Sequence, residues 1–174
     1  MFLVYVATSQ PASTAAWRGP YYSAAVLAAL VTILRLATNG LLNRIHVAIG
    51  LYFGSGSIAL AVHWSWLNQF YGRTEATAML YWVLLVGAVT MFASRAGFIG
   101  VDGAPHAAVR RASIALLGIA LLAAVFSGFF RGNSLLSAYL PFVALFMGHA
   151  LLRNRCLGQA RTVAAPRPMP DALS

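Results

Sequence analysis

The side chains in this 174-residue sequence that could ligate, titrate or attack are few: four histidines, three carboxylates, one thiol and twelve basic residues, every one an arginine. Imidazole binds metals and haem iron and titrates near neutral pH, so the histidines come first. His46 and His63 stand 17 positions apart in one apolar run. On a helix that is a rise of about 25 Å, so they cannot share a ligand. His149 falls one helical turn before Arg153, at the same expected depth as His46. These two form the candidate pair for axial haem ligation, a quinone contact or half of a metal site, and plain interfacial polar residues are the competing reading. His106 falls in an expected loop.

The stretch from Ser94 to Arg111 is the most polar internal segment. Its Arg95, Arg110 and Arg111 could clamp an anionic lipid headgroup, helped by the positive end of the helix that follows. The competing reading is a charged loop that sets topology. Gly97, Gly100 and Gly103 recur every third residue, which matches neither a dinucleotide fingerprint nor a phosphate-binding loop before a helix.

Absences exclude more. Glu75, Asp102 and Asp171 are the only acids, and none is expected in the middle of a span. Proton- or sodium-coupled carriers need an intramembrane carboxylate, so that mechanism is not expected. No GxSxG, HExxH or CxxC occurs, and no paired carboxylates for acid–base work. Cys156 has no neighbouring base in sequence and reads as an inert thiol, and a lone cysteine excludes a disulfide scaffold. No catalytic residue, metal or cofactor is therefore expected, with haem at His46 and His149 as the alternative.

The elements that must position these groups follow from hydropathy. The chain is 60% hydrophobic and 9% charged, with a mean hydropathy of +0.76. Soluble domains carry about 25% charged residues, so the solvent here is a bilayer. Five apolar runs read as spanning helices: about Tyr21 to Ala37, Ile45 to Leu67, Ala76 to Phe92, Ser113 to Phe130 and Leu135 to Leu152. The first is the weakest because Arg35 lies in its last turn, from which a long stem can snorkel to the headgroups. A four-span alternative omits it. Pro141 is expected to kink the fifth. The expected organisation is an external tail over residues 1–19, an all-α membrane bundle over 20–156, and a disordered cytoplasmic tail over 157–174 with three prolines.

Sorted by side, nine arginines fall at one membrane face and three (Arg18, Arg73, Arg131) at the other. The positive-inside rule then puts the N-terminus outside and the C-terminus in the cytoplasm of a bacterial inner membrane. Trp17, Trp64, Trp66 and Trp82, with Tyr21, Tyr22, Tyr71 and Tyr81, gather at the opposite face as an interfacial belt. Because the arginines are dispersed between apolar runs, the net charge of +9 reports orientation, and nucleic acid is not an expected partner.

Small residues at four-residue spacing, Gly50 with Gly54 and Ala144 with Gly148, allow close helix approach. They read either as an oligomer seam or as contacts inside one bundle, the second being favoured. The function expected from all this is a multi-pass accessory, assembly or small transport-type subunit of a membrane complex, without chemistry of its own. Its partners are the bilayer, other membrane subunits or a second copy, with anionic lipid at the loop arginines. The alternative is a haem- or quinone-bearing electron-transfer subunit using His46 and His149.

Overall fold

A computed structural model describes residues 18–38, 43–133 and 135–164. Among these the chain is all helical, without strands, and five helices are long and apolar enough to cross a membrane, as in a multi-pass membrane protein. The elements are α1 (Arg18–Ala37), α2 (Arg44–Ala61), α3 (Ser65–Thr74), α4 (Ala76–Ala93), α5 (His106–Phe129) and α6 (Leu140–Ala164). A π-helical turn, Leu135–Tyr139, leads into α6. The first apolar run forms a 20-residue helix, so the five-span plan holds over the four-span one. The expected outer tail and the end of the inner one, residues 1–17 and 165–174, lie outside the described residues.

Three boundaries differ from expectation, each for a local reason. The second span stops at Ala61 and does not run on to Leu67. His63 takes a left-handed backbone (φ 54°), and the Trp64 N–H donates back to the Ala59 carbonyl at 2.8 Å, closing the helix. The chain then restarts as α3, whose ten residues span about 15 Å and are too short to cross. The fourth span begins at His106, not Ser113. Pro105 occupies the cap position, where its missing N–H costs nothing, so His106 is a helical residue and not a loop residue. The last helix runs past Leu152 and Cys156 to Ala164. Ahead of Pro141, the expected kink takes the form of the π-helical turn, a device that accommodates a residue unable to donate into the α-helical ladder.

The long helices pack in chain order: α1 on α2, α2 on α4, α4 on α5, and α5 on α6. Leu80 and Val83 of α4, Leu116 and Ala120 of α5, and Leu145 of α6 are fully buried between them. Each buried apolar side chain of this size gains dispersion contact that lipid tails would otherwise supply, so fit rather than water exclusion decides the arrangement. Polar pins add specificity. Thr77 and Ser127 join α4 to α5 through their hydroxyls at 2.9 Å, and Arg44 donates to the Ser94 hydroxyl at 2.9 Å. Outward, α1 exposes Val26, Leu27, Leu30, Ile33 and Leu34, the face expected against lipid.

Small residues mark some of these contacts. Gly50 faces Ala28 of α1, where an added Cβ would stand 3.3 Å from the alanine methyl, and Gly148 lies under Ile119 of α5. Gly54 has open space around it and Ala144 is exposed. The glycine that matters most to the α1–α2 contact is Gly56, since the Tyr21 ring occupies the space a side chain there would need.

At the tryptophan-bearing end, Trp64 and Trp66 are exposed, but Tyr21 and Tyr71 are buried and do not belong to an interfacial belt. Their hydroxyls form a network instead. Tyr21 and Tyr52 share a hydrogen bond at 2.5 Å. Trp82 donates its indole N–H to the Tyr71 hydroxyl at 2.9 Å. Ser55 donates to the Leu51 carbonyl at 2.7 Å, which leaves Tyr71 to donate to Ser55 at 2.6 Å. The rings of Tyr52 and Tyr71 meet with centroids 4.9 Å apart. Aromatic faces supply the buried area and the hydroxyls find partners, the arrangement in which a buried tyrosine is stable.

Candidate functional site

The segment joining α4 to α5 sets the opposite, arginine-rich end. Read in sequence as polar throughout, it is polar only at its edges. Ala96, Phe98, Ile99 and Val101 are buried, with Phe98 1% exposed, and they plug that end of the bundle. Gly97 and Gly100 make this fold-back with positive φ (57° and 71°), a conformation that costs glycine nothing. The fully buried Ser113 hydroxyl accepts the Ile99 N–H at 3.3 Å. Gly87 of α4 leaves room for the Phe98 ring.

Beside this plug lies a cavity of about 440 Å³. α1 contributes Val31 and Arg35, the start of α2 contributes Asn43 and His46, the plug contributes Ile99 and Gly100, and α6 contributes His149, Ala150, Arg153 and Asn154. Helical spacing explains the α6 set, because positions 149, 150, 153 and 154 recur at three and four residues on one face. Asn43 caps α2 by accepting the Ile45 N–H at 3.0 Å, so the positive end of that helix is directed here as well.

His46 and His149, chosen from depth alone, therefore line one cavity. The His149 ring lies within reach of the Ile99 backbone and near Arg153. His46 is partly buried, and its Nε2 is fully shielded without a hydrogen-bond partner. Such a buried nitrogen costs roughly 1–3 kcal/mol unless something occupies it. The only other buried side-chain polar atom without a partner among the described residues is the Ser57 hydroxyl. We have no physical account of that one.

The remaining candidates lie elsewhere. Arg95, Arg110, Arg111 and His106 are exposed and none lines the cavity. His63 accepts from Arg18 at 3.2 Å at the other end. Cys156 is 3% exposed among apolar side chains. Among the described residues no group of three or more His, Cys, Asp or Glu side chains could hold a metal ion.

Sequence reasoning passed over Arg35, Asn43, Arg153 and Asn154 as site residues. Arg35 read as a snorkelling anchor and Arg153 as a topology marker, because the first and last helices are far apart in the chain. The useful signal was the one-turn spacing of His149 and Arg153, which puts an imidazole and a guanidinium on one face.

In charge terms the lining is one-sided among the described residues: two guanidiniums, two imidazoles, two carboxamides and a helix N-terminus, with no carboxylate. A guanidinium fork with flanking N–H donors suits a planar or tetrahedral oxyanion. No family model matches this chain, no curated protein matches it and no solved structure matches it.

Proposed function

We propose that this chain is a multi-pass accessory subunit of a bacterial inner-membrane complex, and that it works by binding. Its recognition element is the basic cavity, which holds an oxyanion, phosphate or carboxylate, at the cytoplasmic face. The orientation rests on the positive-inside rule, with the arginine-rich end in the cytoplasm and the N-terminus outside. One observation carries the reading. Arg35 and Arg153, from the first and last spanning helices, line the same cavity as two histidines and, among the described residues, no acid. No bond-making step is assigned: the two imidazoles are the only bases among the described lining residues, and no carboxylate, thiol or hydroxyl stands beside them as nucleophile.

The test is purification of the full chain in mild detergent, followed by identification of co-eluting proteins and quantification of bound anionic species. We expect partner subunits together with a near-stoichiometric anion that the R35Q/R153Q variant loses. A protein that elutes alone and free of any anion refutes the reading.

A second reading is supported by His46 and His149 sharing the cavity. Two imidazoles there could ligate haem iron axially, with Arg35 and Arg153 meeting the propionates, or hydrogen-bond a quinone carbonyl. The mixed polar lining favours the oxyanion over a macrocycle. A Soret band in the purified protein that both His46→Ala and His149→Ala abolish would establish the haem form. A haem-replete preparation without that band would exclude it.

A further inference from the structure

We infer that the cavity takes the phosphomonoester head of a membrane lipid, whose hydrocarbon lies between α1 and α6. The inference rests on the oxyanion reading above and names its ligand.

The charge argument comes first. A phosphomonoester carries about −1.5 to −2 at pH 7 and offers three terminal oxygens. A phosphodiester carries a single charge. Arg35 and Arg153 stand on different walls of the cavity, one on α1 and one on α6, so both walls carry positive charge. Two guanidiniums attract a dianion more strongly than a monoanion, which favours the monoester. A zwitterionic head with an ammonium group finds no carboxylate among the described lining residues to pair with.

The source of the phosphate follows from the flanks. α1 docks extensively only on α2, and α6 on α5, so α1 and α6 are not packed against each other above the cavity. Each continues the cavity face toward the middle of the bilayer with an exposed apolar side chain one turn before a lining residue. Leu27 precedes Val31 on α1, and Phe146 precedes Ala150 on α6. Polar donors at headgroup depth with hydrocarbon-facing walls directly below them fit an amphiphile. A freely soluble phosphate ester uses only the upper half of such a site. The volume of about 440 Å³ falls within the roughly 300–1,000 Å³ of ordinary small-ligand sites and accommodates the head alone.

The experiment uses the full chain in detergent micelles doped with phosphatidic acid, phosphatidylglycerol or phosphatidylethanolamine, with bound lipid counted by native mass spectrometry. Soluble glycerol 3-phosphate serves as competitor. We expect phosphatidic acid to be retained about tenfold or more over phosphatidylglycerol, and glycerol 3-phosphate not to displace it at equal phosphate concentration. R35Q/R153Q should lower retention to the phosphatidylglycerol level, whereas R110Q/R111Q, which alters the exposed arginines outside the cavity, should not. The melting temperature of each variant checks its fold.

Equal retention of the two anionic lipids, both above phosphatidylethanolamine, overturns the phosphomonoester while the oxyanion reading stands. Competition by glycerol 3-phosphate as strong as that by phosphatidic acid overturns the lipid. Equal loss in R110Q/R111Q overturns the cavity as the site. No preference for either anionic lipid removes this inference and, if phosphate and carboxylate solutes also fail to bind, the oxyanion reading with it.

Discussion

Gly97→Ala probes how rigidly the plug is held, and its cost can be worked from the geometry. At φ +57° a residue with a side chain pays roughly 1–2 kcal/mol relative to glycine. The new Cβ would stand 2.5 Å from the Ser113 hydroxyl and 3.0 Å from Val109 Cγ1. Ser113 is fully buried and holds the Ile99 N–H, so yielding means losing that bond or overpacking, a further cost of about 1–3 kcal/mol. We expect a total of about 2–5 kcal/mol. Gly103→Ala is the matched control, because φ is +78° there but no atom lies within 4 Å of an added Cβ, leaving only about 1–2 kcal/mol. Unfolding by SDS titration in mixed micelles measures both. Adding Ser113→Ala to Gly97→Ala should recover part of the loss, since the serine Cβ is 3.5 Å away and in ordinary contact. The reasoning fails if Gly97→Ala costs no more than Gly103→Ala, or if the double variant recovers nothing.

Three more outcomes are expected. Tyr71→Phe removes the acceptor of the Trp82 indole N–H and the donor to Ser55. It should destabilise by about 1–3 kcal/mol in the same titration and shift Trp82 fluorescence, and an unchanged midpoint would count against the network. Gly56→Ala collides with the Tyr21 ring and should loosen α1, read as faster proteolysis within α1, whereas Gly54→Ala in open space should leave it intact. Equal behaviour of the two glycines would refute the placement of Tyr21. For orientation, the native thiol is too buried to report. A Cys156→Ala protein carrying Asp102→Cys, at an exposed position, should react with an impermeant maleimide in inverted vesicles and not in intact spheroplasts. Labelling in spheroplasts would reverse the orientation.

Much of the fold was legible because apolar length is a one-dimensional property: the five spanning helices show in hydropathy alone. Their ends were less so. The stop at Ala61 depends on a left-handed His63, and although histidine enters that region more often than most residues, one histidine in an apolar run does not mark a helix end. The fold-back of Ala96 to Val101 was hidden by its neighbours, since Arg95, Asp102 and His106 raise the polarity of a stretch whose centre is apolar. The three-residue recurrence of glycine was visible, but its purpose was not, because it depends on Ser113 and Gly87 in the flanking helices. At the site, depth along a helix is readable from spacing, which is how His46 and His149 were paired. That α1 and α6 flank one cavity is a property of the whole bundle, and only the bundle places Arg35 and Arg153 in the same lining.

The attachment of α1 has a mechanical consequence. One wall of the cavity hangs on a helix whose main contacts are with a single neighbour, through Tyr21 over Gly56 and Ala28 against Gly50. A 20-residue helix answers a change in hydrocarbon thickness by tilting. Tilt about that contact line alters the gap between Arg35 and Arg153 while the rest of the bundle keeps its shape. For the oxyanion site proposed above, the expected result is a binding strength that differs between short-chain and long-chain lipid.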